Sequence, residues 1–102
     1  MLKILFMTAP STASTLLSKR IKDTAKSDGL EIDIEIASEE EVFARANVDN
    51  FDMVLVCPTL RFLFNRPEKM HIFGDTPVAV IQTQIYGSLD ARAILSLIAA
   101  NL

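Results

Sequence analysis

Residues 5–17 read LFMTAPSTASTLL: an apolar run, a stretch of small and hydroxyl-bearing residues, then leucines at the start of a helical pattern. A short continuous apolar run is what a strand covered on both faces requires, and helix-opening chemistry follows it within a few residues. The stretch reads as strand, loop and helix, the first part of a parallel β-α-β unit.

The rest of the chain repeats that arrangement. Met53-Val54-Leu55-Val56-Cys57 and Val78-Ala79-Val80-Ile81 are two further apolar runs, whereas Leu30-Glu31-Ile32-Asp33-Ile34-Glu35-Ile36 alternates strictly and so reads as an edge strand with one wet face. Leu16, Leu17, Ile21 and Ala25 are expected to share one face of a helix over 14–28, with Gly29 as its left-handed cap. Ser38-Glu39-Glu40-Glu41 is a capping-box pattern that opens a second helix. Ser88 followed by Asp90 opens the last, with the stripe Leu89, Ala93, Ile94, Leu97 and Ile98. Segment 60–73 has no clear period, and Pro67 either starts or interrupts a helix there. Because parallel crossovers are right-handed, this order predicts an α/β, flavodoxin-like three-layer sandwich: a four-stranded parallel sheet of order 2-1-3-4 with helices on both faces, in one domain over residues 1–102.

Half of the residues are hydrophobic and the net charge is −3, so there is no basic footprint for nucleic acid. The single cysteine, Cys57, cannot form an internal disulfide. The apolar start is too short, and too promptly followed by polar residues, for a signal peptide or a membrane span. The expectation is a cytoplasmic protein that is not membrane-inserted.

In an open sheet of this order, a ligand crevice forms beyond the carboxyl ends of the strands, between strands 1 and 3. That selects the loop after strand 1, Pro58-Thr59-Leu60 after strand 3, and Gln82 to Gly87 after strand 4. The first loop runs into a helix N-terminus, where unpaired N–H groups favour an anion; Thr8, Ala9, Ser11, Thr12, Ala13 and Ser14 are its candidate phosphate-binding residues. Capping and turn chemistry want the same residue types, so both readings stand. The loop contains no glycine and no Gly-rich fingerprint occurs elsewhere, which removes nucleotide binding. His71 has no cysteine or carboxylate at ligand spacing and is expected to be structural; neither a metal nor a cofactor is expected. Asp75 reads as a turn residue, while Arg61 and Arg66 face either solvent or an acidic partner.

Met7 to Lys19 resembles the Cys-Ser-Ala-Gly-Met-Ser-Thr-Ser-Leu-Leu-Val-x-Lys loop of the IIB components of the bacterial sugar phosphotransferase system, lactose/cellobiose (chitobiose) type. Ala9, Ser14, Leu16 and Lys19 are kept, as is hydroxyl character at positions 8 and 12. Phe51 to Pro58 is similar to that family's Ala-Asp-Val-Val-Leu-Leu-Gly-Pro segment, and Ile85 to Asp90 to its Tyr-Gly-x-Val/Met-Asp segment. The resemblance implies a protein of sugar uptake whose cysteine takes a phosphoryl group from a IIA histidine and passes it to a sugar held by the membrane IIC component, with IIA and IIC as partners.

The resemblance also places the family nucleophile at Met7, whose thioether has no ionisable proton, and a family glycine at Pro10, which lacks an N–H. Two readings follow. Either Cys57, on the neighbouring strand, faces the same crevice as Met7 and acts instead, or the chain is a catalytically silent IIB-like module, natural or with its nucleophile replaced, that binds partners. A buried, inert Cys57 is the competing reading of that residue. Cys57 does not begin a phosphatase Cys-x5-Arg loop, since position 63 is Leu. An unrelated small-ligand domain of flavodoxin-like shape is the remaining alternative.

Overall fold

A computed structural model describes residues 1–9, 11–45 and 47–102. Four parallel strands, β1 (Leu2–Met7), β2 (Ile32–Ala37), β3 (Met53–Val56) and β4 (Val78–Val80), form one sheet in the expected order β2-β1-β3-β4. Ile4, Leu5, Phe6 and Met7 of β1 pair with Ile34 to Ala37 on one side and with Met53 to Val56 on the other. Central β1 is therefore apolar at consecutive positions, as a strand with no wet face must be. Edge strand β2 keeps Asp33 and Glu35 exposed, charges that discourage edge-to-edge pairing.

Side chains alternate across a strand, and two cores result. Ile4, Phe6, Ile32, Ile34, Met53 and Leu55 pack on one face against α1 (Thr12–Ser27) and α5 (Ala91–Ala100). Leu5, Met7, Ala37, Val54 and Val56 pack on the other face against Val42 of α2 (Glu39–Phe43), Val48, Leu63 and Phe73. The sheet is the middle layer of three.

Helix starts follow local chemistry. Ser38 caps α2: its hydroxyl accepts from the Glu41 N–H at 3.2 Å, and its own N–H donates to Glu41 Oε1 at 3.2 Å. The Ser38 backbone and hydroxyl bonds hold the Glu41 carboxyl below its ordinary range. At the end of α1, Gly29 adopts φ +79 and donates to Lys26 O at 3.0 Å while the Leu30 N–H donates to Ala25 O at 2.8 Å. That is a Schellman ending, which needs a left-handed residue at the glycine.

Three local readings change. Leu17, Ile21 and Ala25 are buried on α1 as expected, but Leu16 is 40 % exposed, because the inward stripe is Ser14, Leu17, Ser18 and Ile21 and Leu16 lies one step round the helix. The segment read as a loop, 82–87, holds a short helix, α4 (Thr83–Gly87), after α3 (Pro67–Met70). Ser88 closes α4 rather than opening the last helix, Leu89 sits outside it at φ 54, and Asp90 caps α5 by accepting from the Ala93 N–H at 3.1 Å. Pro67 starts α3, flanked by 3-10 turns over Pro58–Asn65 and His71–Phe73.

Candidate functional site

The loop after β1 starts from a buried anchor. Thr8 is 2 % exposed; its N–H extends the β1–β2 ladder to Ala37 O at 2.9 Å, and its hydroxyl lies 3.4 Å from Tyr86 Oη. Tyr86, on α4, meets the Phe6 ring edge-on with centroids 6.3 Å apart. A central strand, the loop and α4 are thereby joined at the carboxyl end of the sheet.

Ser11 and Ser14 close on each other. The Ser14 N–H donates to Ser11 Oγ at 3.1 Å, the Ser11 N–H to Ser14 Oγ at 2.9 Å, and the Ser14 hydroxyl to Ser11 O at 3.0 Å. Both hydroxyls are committed to starting α1, and Ser14 is fully buried. Ala9, Ser11, Thr12 and Ala13 are exposed, and Thr12 and Ala13 occupy the first two helical positions, whose N–H groups have no intrahelical acceptor. What this loop presents outward is first-turn amide and the Thr12 hydroxyl rather than a ring of serines. The expected change of the family glycine to Pro10 falls outside the described residues. Removing the cap with Ser11→Ala is expected to cost about 0.5–2 kcal/mol, read as a lower midpoint in urea unfolding.

The structure separates Met7 from Cys57. Met7 is fully buried with Leu5, Val54 and Val56 on the α2 side, whereas Cys57, 2 % exposed, packs with Phe6 and Leu55 on the α1/α5 side. The Cys57 N–H donates to Met7 O at 3.1 Å, one step beyond the Met7–Val56 pair. One step along a strand reverses the face, so the shared crevice expected of these two side chains does not form. Cys57 Sγ lies 3.1 Å from Thr59 Oγ1.

Two exposed apolar side chains lie near the segments that follow β1 and β3. Leu16, 40 % exposed, stands with Lys19 beside Ser11 and Thr12, and Phe62, 44 % exposed, stands with Arg61 beside Thr59 and Thr83. Neither exposure was read from the sequence: Leu16 was assigned to the inward stripe with Leu17, and Phe62 lies in a segment that had no period. Tyr86 was legible as part of a motif but not as the partner of Thr8. His71 is exposed and gives its carbonyl to the Gly74 N–H at 3.2 Å, a turn role for its backbone. Among the described residues no three His, Cys, Asp or Glu side chains gather as metal ligands, and no helix is long and apolar enough to cross a membrane.

Residues 3–97 match the family model for the lactose/cellobiose-specific IIB subunit of the phosphotransferase system. The chain is similar to the cellobiose-specific phosphotransferase IIB component protein of Borrelia burgdorferi, at 31 % identity over 98 % of this chain and 91 % of that one, with a TM-score of 0.75. It shares its fold with the lactose-specific IIB component domain of the Streptococcus pneumoniae phosphoenolpyruvate:carbohydrate phosphotransferase system, at 16 % identity over 98 % and 96 % of the two chains and a TM-score of 0.75.

Proposed function

The chain belongs to the lactose/cellobiose-specific IIB family of the phosphotransferase system, with a IIB role in sugar uptake, and from that premise we propose that it docks its IIA and IIC partners around the strand-1 loop without itself holding the phosphoryl group. The single observation that carries this reading is the residue at the end of β1: Met7, buried and thioether-bearing. Nucleophilic attack by a thioether on phosphorus would leave a sulfonium with three substituents and no proton to lose, so no stable thiophosphate forms. Cys57 supplies no ready substitute, because its thiol lies on the opposite face of the sheet from the Met7 side chain.

Docking is supported by what surrounds the loop. The exposed first turn of α1 favours a phosphate presented by a partner, Lys19 and Arg61 add positive charge, and Leu16 and Phe62 supply apolar anchors of the kind interfaces use. The setting is the cytoplasmic side of the membrane, where the phosphoryl donors reside. Titrating the isotopically labelled chain with cognate IIA tests the reading. Amide shifts are expected to concentrate at Thr8 to Leu16 and at Thr59 to Phe62, and shifts confined to the strand starts around Leu30 would overturn it.

A further inference from the structure

The junction between α4 and α5 puts a leucine where a glycine is usual. Among the described residues, Leu89 is the one non-glycine with a positive φ, 54°. The Asp90 N–H donates to Ile85 O and the Leu89 N–H to Tyr86 O, each at 3.1 Å, so α4 ends in a Schellman motif with Leu89 at its left-handed position. A Cβ there crowds the backbone, a strain that glycine escapes. The chain does hold a glycine nearby, Gly87, but inside the last turn of α4, where it weakens the helix.

The rest of α4 is marginal. Five residues are too few for a helix to stand by itself, Gln82 gives no side-chain cap, and none of the five is buried. Ile81, fully buried, ties the start to β3 through its N–H and Val56 O at 2.9 Å. The other end is held by the Leu89 side chain, half-buried against the α1/α5 core. Directly after it the Ala91 N–H donates to Leu89 O at 3.0 Å and Asp90 caps α5, so no residue is spare between the two helices. Burial of the leucine and strain in its backbone act against each other at one position. Between these anchors the half-buried Ile85 and Tyr86 hold α4 down, Tyr86 on the Phe6 ring and the Thr8 hydroxyl.

We propose that α4 is a latched flap over the start of the strand-1 loop. It opens as a unit about Gln82 and the Leu89–Asp90 junction, the Leu89 side chain is its latch, and opening withdraws Tyr86 from Thr8. Such an opening breaks few buried contacts, so it needs far less free energy than unfolding the sheet. It is a property of the free chain, independent of how partners dock.

Native-state hydrogen exchange of the free chain tests this. The Tyr86, Ser88 and Asp90 amides are expected to share one protection factor, roughly a hundredfold or more below that of the central β1 amides and nearly independent of urea at low concentration. Leu89→Ala keeps the strain and removes the latch; its α4 amides are expected to exchange roughly tenfold faster than those of the wild type. Leu89→Gly removes both and is expected to exchange about fivefold more slowly than Leu89→Ala, the reverse of the usual order of the two residues. Tyr86→Phe keeps the ring on Phe6, loses the bond to Thr8, and is expected to speed α4 exchange by about two- to fivefold. α4 amides as protected as those of β1, a Gly variant that opens more readily than the Ala variant, or a Tyr86→Phe flap no looser than the wild type overturns the proposal. Should the Leu89 variants fail to fold, the wild-type profile and Tyr86→Phe decide it.

Discussion

Incubated with phosphoenolpyruvate, the general phosphotransferase proteins and its cognate IIA, the wild-type chain is expected to keep its own mass, with acceptor activity lower by roughly 10⁶-fold than that of a thiol-bearing relative, the scale of loss when a nucleophile is removed from an enzyme. The same incubation with Met7→Cys is expected to add one phosphoryl group, located on the peptide spanning 1–19. A thiol there can ionise; the thiolate then forms an S–P bond as the histidine N–P bond of IIA breaks. Shortening a fully buried side chain also costs about 1–3 kcal/mol of stability, so the variant is best assayed at low temperature. Cys57→Ser in the otherwise unchanged chain is the decisive control. A wild-type mass gain that disappears in Cys57→Ser would mean that the thiol on the far face of the sheet escapes its enclosure and carries the phosphate, and the silent reading would fall.

The second large effect concerns Phe6. Its ring is fully buried in the α1/α5 core and supports the ring of Tyr86, which in turn meets Thr8. Phe6→Ala is expected to destabilise by about 3–5 kcal/mol in urea unfolding, a large share of the roughly 5–15 kcal/mol that holds a typical domain together. Phe62→Ala, removing a half-exposed ring, is expected to change stability by no more than about 0.5 kcal/mol. Similar losses in the two variants would mean that Phe6 is not the support described.

How much of this was legible in the sequence depended on whether a feature is local. The apolar runs marked the strands, and the handedness of crossovers then gave their order. Ser38 and Gly29 marked helix ends because caps and left-handed endings are decided by a few adjacent residues. Segment 60–73 resisted because 3-10 turns and a four-residue helix are too short to establish a period. The faces of Met7 and Cys57 resisted for a different reason. Each lies at a strand end, and whether two strand ends share a face is set by register, where one residue reverses the answer. The hydroxyls of Ser11 and Ser14 were read as loop groups, whereas Ser14 lies in the first turn of α1 and bonds to the Ser11 cap, which only the geometry shows.

The Thr8–Tyr86 contact has an optical consequence. The chain contains one tyrosine and no tryptophan, so under excitation beyond the absorption of its phenylalanines its intrinsic emission comes from a ring whose hydroxyl lies 3.4 Å from the first residue of the loop. Any event that displaces that loop changes the surroundings of the sole fluorophore. The protein carries, without labelling, its own indicator lamp for the occupancy of the site.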